Sequence, residues 1–116
     1  MRLAIISDIH GNLEALEAVL RDAGRRQVDE LVVLGDTINY GGNPGECLAR
    51  VQAEAKVVLV GNHEQEVATP DPDGLARDSR ALADWTGQAL AGHPGWEALK
   101  ARIVAEGAEA LATVRV

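Results

Sequence analysis

Three short apolar runs, Leu3 to Ile6, Leu31 to Leu34 and Val57 to Val60, constrain this chain more than any other feature. Each is rich in branched residues and unbroken by charge, the pattern of a strand buried on both faces. Between them lie two segments of helical character. In "NLEALEAVLRDAGRR", Leu13, Leu16, Val19 and Leu20 fall at helical spacing, Asn12 is placed to cap the start and Gly24 to end the helix. In "NPGECLARVQAEA", Asn43 caps, Pro44 takes the first helical position and Glu46 completes a capping-box pattern. The first 64 residues therefore read β-α-β-α-β. Strands joined by crossover helices run parallel, so the fold class is α/β with a parallel sheet.

After Glu64 the pattern is less regular. "TPDPDG" reads as a loop, and Leu75 to Ala91 as a helix with Leu82, Trp85 and Leu90 as apolar anchors. "GHPG" breaks that helix, Trp96 to Glu106 forms another, and "ALATVRV" suits a final strand. No repeat, linker or low-complexity tract divides the chain, so residues 1–116 read as one domain. No apolar run approaches the ~18 residues of a membrane span. The first ten residues contain Asp8 and lack a signal-peptide core, and Cys47 is the single cysteine; both fit a cytoplasmic protein. A net charge of −7 argues against general nucleic-acid or anionic-membrane binding. A phosphate site in such a chain needs positive charge supplied locally.

In a parallel sheet the carboxyl ends of all strands share one edge, where open α/β sheets bind ligands. The first run here leads into Asp8 and His10, the second into Gly35-Asp36, the third into Gly61-Asn62-His63-Glu64. If the segment after the first run stays extended, alternation puts Asp8 and His10 on one side, able to grip one ion. Asp36 has two oxygens and can bridge two ions, and Asn62 offers a neutral carbonyl oxygen. Carboxylate, imidazole and amide ligands together suit Mn, Fe, Co, Ni or Zn. Two such ions roughly 3.5–4 Å apart acidify a bridging water and clamp a phosphoryl group. Gly35 and Gly61 let the backbone turn sharply beside the site.

"DIH", "GD" and "GNHE" at these spacings resemble the first three motifs of the calcineurin-like metallophosphoesterase superfamily. "GDTINYGGNPGECL" further resembles its small bacterial phosphodiesterase or phosphatase-like branch. The likeness covers roughly residues 1 to 66. It implies the N-terminal half of the family's α/β sandwich and metal-dependent hydrolysis of a phosphomonoester or phosphodiester by a metal-bridging hydroxide. It implies that Asp8 and His10 ligate a first metal, that Asp36 bridges both, and that Asn62 ligates the second. His63 would be the general acid toward the leaving oxygen, with Glu64 orienting it; aspartate is commoner at that position.

The family also carries later histidines that complete both coordination spheres. This chain has three histidines in all, His10, His63 and His93, and "GHPG" lacks the second histidine of the family's Gly-His-x-His motif. The ligand inventory is about half a site. Three explanations stand: a shortened version of a longer enzyme, a short homologue holding one metal loosely or none, or a homo-oligomer that covers the unfinished sheet. The alternative function is accordingly a weakly active or inactive metal- or phosphate-binding interaction module. Tyr40 reads as loop packing or as a substrate contact, Cys47 as a buried structural thiol, Trp85 and Trp96 as core anchors. No G-x-x-x-x-G-K-[ST] loop, G-x-G-x-x-G turn or G-x-S-x-G elbow is present.

Overall fold

The structure is a computed structural model describing residues 1–71, 73–74 and 76–107, together with the backbone of 111–114. In chain order the elements are β1 (Leu3–Ile6), α1 (Leu13–Arg25), β2 (Glu30–Val33), α2 (Pro44–Glu54), β3 (Val57–Leu59), α3 (Asn62–Ala68), α4 (Arg77–Leu90), α5 (Pro94–Glu106) and β4 (Leu111–Val114). The sheet order is β1-β2-β3-β4. β1 pairs parallel with β2, and β2 with β3, while β4 runs antiparallel against β3. The expected β-α-β-α-β core is therefore present, with an antiparallel edge strand inside "ALATVRV"; residues 110 and 115–116 of that stretch lie outside the described residues.

Register explains which residues are buried. Ala4, Leu31 and Ile6, Val33, Val58 fall on matched rungs, and Leu31, Val33 and Val58 are buried in one cluster with Leu16, Leu48, Val51, Trp96, Leu99 and Ile103. The helices form one connected layer: α1 packs on α2, α2 on α4 and α5, and α3 on α4 and α5. The alternate rungs stay open. Leu3, Ile5 and Leu34 are exposed, Ile5 to 60%. Among the described residues the sheet is therefore covered on one face only, unlike the two-sided burial that unbroken apolar runs imply.

Several local expectations shift. α1 runs through Gly24 to Arg25, and the left-handed residue that follows is Gln27. Asn12 caps α1 as expected, its Oδ1 accepting from the Ala15 N–H at 3.0 Å. Asn43 makes no side-chain cap bond, so the capping box expected with Glu46 does not form; Pro44 still starts α2. In α4 the expected anchor Leu90 is buried, but Leu82 and Trp85 are 40% and 47% exposed, and Ala83 and Thr86 are buried instead. The helix is turned because Thr86 faces the site loop. Leu75, taken as its start, lies outside the described residues. Trp96 is a core anchor as expected.

Cys47 is buried on α2, and burial pushes its thiol up to about 11. Since the thiolate is the reactive form, Cys47 is expected to resist a maleimide or disulfide reagent in the native chain and to react at once in denaturant. Rapid labelling without denaturant would show that α2 does not pack on the sheet in this way.

A candidate metal centre at the carboxyl edge of the sheet

Backbone pairing continues past the ends of β1 and β2 and builds the site. The Asp8 N–H donates to Gly35 O at 3.2 Å, His10 N–H to Asp36 O at 2.9 Å and Gly11 N–H to Thr37 O at 2.9 Å. The two strand ends thus advance side by side. Their conformation is not extended: Asp8 (φ 59°), His10 (φ 50°), Asp36 (φ 56°), Asn39 (φ 80°) and Tyr40 (φ 74°) all lie in the left-handed region. Among the described residues Gln27 alone joins them as a non-glycine with positive φ. Strained backbone collected at one edge is typical of a site whose geometry the surrounding fold enforces. Asp8 and His10 do converge, with Asp8 Oδ1 3.5 Å from His10 Nε2. The cause is this pair of left-handed turns, not the strand alternation expected from sequence.

Asp36 is clamped from the start of α3. Its Oδ1 accepts from the His63 N–H at 3.1 Å, in the first turn of α3. A Cβ on Gly61 would collide with Asp36 Oδ1, so glycine there makes room for the carboxylate itself. Ligand atoms of His10, Asp36 and His63 lie within 4.8 Å of one another, a spacing able to hold a metal ion. The rings of His10, Tyr40 and His63 form a triangle with centroids 4.5–5.0 Å apart. Tyr40 thus packs against both histidines, from a half-exposed position.

His10 presents its nitrogens in the order a ligand needs. Nδ1 sits 3.2 Å from Ile38 O. A carbonyl only accepts, so Nδ1 carries a proton, and in the neutral ring it is Nε2, beside Asp8, that is free to ligate. Asp8 is exposed, and Ser7 Oγ donates to its Oδ2 at 2.6 Å. That bond, with His10 and His63 nearby, outweighs desolvation and holds the Asp8 carboxyl below its ordinary range. An ionised carboxylate beside an unprotonated imidazole nitrogen is a donor set that fits a divalent cation.

Glu64 has a different position from the one expected. Its buried carboxylate accepts from the backbone N–H groups of Asp36 (2.7 Å), Gly61 (2.9 Å) and Ile38 (3.3 Å). Burial outweighs those bonds and raises its carboxyl above the usual value. Among the described contacts Glu64 makes no bond to His63; it ties the end of β2 to the start of α3. The neighbours of His63 Nδ1 are Asn39 Nδ2 at 3.0 Å and Glu66 Oε2 at 3.4 Å. Asn62, the first residue of α3, is exposed, and the N-cap of that helix is Gly61. His93 lies apart, capping α5 by accepting from the Trp96 N–H and packing over Gly45.

Asn39, Glu66 and Thr86 were not legible as site residues. The turn "TINYGG" did carry a signal for Asn39, since asparagine tolerates positive φ. α3 itself was signalled by Glu64, three residues after Gly61, reaching back to the N-cap N–H.

The model of the calcineurin-like phosphoesterase family matches residues 1–106. The chain belongs to this family. A metallophosphoesterase structure from Sphaerobacter thermophilus superposes with a TM-score of 0.64 at 41% identity, covering 78% of this chain and 37% of that one. An uncharacterized protein of Methanocaldococcus jannaschii is 46% identical over 65 residues, 56% of this chain and 27% of its own length. Phosphodiesterase YfcE of Escherichia coli is 44% identical over 57 residues, 49% of this chain and 30% of its own. The chain therefore spans between a quarter and two fifths of the relatives it resembles. The three parallel strands and five helices match a metallophosphoesterase-like fold. No helix among the described residues is long and apolar enough to cross a membrane.

Proposed function

We propose that this chain is a metal-dependent phosphoesterase domain acting on a phosphomonoester or phosphodiester. The observation that carries the reading is the meeting of His10, Asp36 and His63 ligand atoms within 4.8 Å, with the Asp8 carboxylate 3.5 Å from His10 Nε2 at the edge of that group. In this reading Asp8, His10 and Asp36 hold the cation, and Asn62 adds a neutral oxygen from the start of α3. A divalent ion bound there would activate water and neutralise phosphate charge. In this reading His63 acts on the leaving oxygen. Glu64 ties the loop after β2 to the start of α3, in the shape the ligands require.

The name of the Escherichia coli relative points to phosphodiesters as the first substrates to try. Incubated with Mn²⁺ or Ni²⁺, the chain is expected to release nitrophenol from bis(p-nitrophenyl) phosphate, and to lose that activity with a chelator or as Asp8→Ala. A well-folded chain without turnover under any divalent metal would overturn the reading.

One observation favours a second reading, a binding or interaction module. His93, the one histidine outside the cluster, caps a helix and does not supplement the ligands. The bare sheet face of Leu3, Ile5 and Leu34 would then serve self-association, and a homo-oligomer is part of this reading. Light scattering beside metal analysis by mass spectrometry separates the two. At most one weakly held ion in a stable oligomer supports the module; two tightly held ions per chain oppose it.

A further inference from the structure

We propose that Asn39 and Ile38 O set the two site histidines in opposite tautomers, making His10 the metal ligand and His63 a neutral hydrogen-bond donor. The inference rests on the phosphoesterase reading for its consequence, and on hydrogen-bond bookkeeping for its substance. Asn39 is 1% exposed, so its amide must be satisfied internally. Its Oδ1 accepts from the Tyr40 N–H at 3.1 Å, and the Thr86 hydroxyl lies 3.3 Å from the same atom. A backbone N–H can only donate, which fixes that end of the amide as oxygen. The other end is then the NH₂ group, 3.0 Å from His63 Nδ1. An NH₂ group can only donate, so Nδ1 accepts and the proton of the neutral ring is on Nε2.

Glu66 is the competing partner. Its Oε2 is 3.4 Å away, long for a hydrogen bond, and its side chain is partly exposed and hydrated. The shorter contact from the buried amide prevails. Thr86, buried in α4, shares its single hydrogen between Asn39 Oδ1 and Leu82 O at 2.8 Å, so the helical layer holds the amide from behind.

Two consequences follow. With a proton on Nε2 and Nδ1 engaged, His63 offers no lone pair to a cation, although it lies within the cluster spacing. And its Nε2–H would serve as a fixed donor to the oxygen on which charge develops as the P–O bond breaks. The neutral ring keeps its proton, because losing it would leave an imidazolate. The water that adds to phosphorus releases the proton that the leaving oxygen takes. Asn39 is thus a positioning residue acting through His63.

The test is ¹⁵N NMR of the histidine-labelled, metal-free chain, about two pH units above the ordinary imidazole pKa of ~6.5. His63→Gln assigns the resonances. His10 is expected as Nδ1–H and His63 as Nε2–H. Asn39→Asp has the same shape but no N–H donor, and should move His63 to Nδ1–H while the amide spectrum and His10 stay in place. Added Zn²⁺ should shift His10 Nε2 and leave the proton on His63 Nε2 in the parent chain. His63 found as Nδ1–H in the parent, or losing its Nε2 proton to Zn²⁺ there, would overturn the proposal. So would an unchanged His63 tautomer in folded Asn39→Asp. The parent spectrum decides even where the variant does not fold. Turnover is measured separately, so correct tautomers without hydrolysis would count against the phosphoesterase reading alone.

Discussion

Glu64→Ala is expected to cost this chain about 3–5 kcal/mol of folding free energy, more than any substitution at an exposed ligand. The carboxylate is buried and accepts from three backbone N–H groups, those of Asp36, Ile38 and Gly61. Each buried donor left without a partner costs about 1–3 kcal/mol, reduced where water enters the vacated space. A domain of this size has only about 5–15 kcal/mol in total. Glu64→Gln keeps the volume and one oxygen, but sets an NH₂ group against backbone donors, so an intermediate loss of about 1.5–3 kcal/mol is expected. Urea unfolding followed by circular dichroism reads both values. A loss under about 1 kcal/mol for the alanine variant would show that the loop after β2 is held against the start of α3 by something else. Because the amides belong to the residues that shape the site, metal binding should weaken in parallel with stability.

The fold and the candidate site were legible to different depths, for physical reasons. β1, β2, β3 and the two crossover helices were readable because each buries a local pattern: a branched apolar run, or apolar residues at helical spacing with Asn12 or Pro44 at the start. Asp8, His10 and Asp36 were readable because parallel strands must bring their ends to one edge. What local sequence does not encode is the turn geometry there. Positive φ at Asp8, His10 and Asp36 is imposed by pairing with residues far along the chain, such as His10 with Asp36. Glu64 shows the same limit. Its partners Asp36 and Ile38 are distant in sequence, so adjacency to His63 suggested an orienting role that the packing does not provide. Asn39 and Thr86 meet only because α4 is rotated to bury Thr86, while Trp85 beside it faces out. Helical spacing alone does not choose between those two faces when Leu, Trp, Ala and Thr alternate along them.

Asp36→Asn separates charge from shape at the centre of the site, and its expected effect on metal binding is larger than that of any partner behind it. Asparagine tolerates positive φ, and Asp36 sits at 56°. Its Oδ1 can still accept from the His63 N–H, the bond seen at 3.1 Å. The room left by Gly61 accommodates the amide as it does the carboxylate. Folding should therefore change little, by no more than about 1 kcal/mol. The removed negative charge is a different matter, because Asp36 is the one carboxylate grouped with His10 and His63, the only grouping of its kind among the described residues. Changing a partner behind a ligand already costs about 10–100-fold in affinity, so loss of a charged ligand is expected to exceed about 100-fold. Isothermal titration with Mn²⁺ or Zn²⁺ measures this without any need for turnover, and nitrophenyl ester hydrolysis should fall with it. Asp36→Ala adds a second effect, since it also frees the His63 N–H and places a β-carbon without a polar group at a positive φ. The alanine variant should lose stability as well as metal. If Asp36→Asn bound metal as tightly as the parent chain, Asp8 and His10 would be holding the ion without it, and the proposed centre would be in the wrong place.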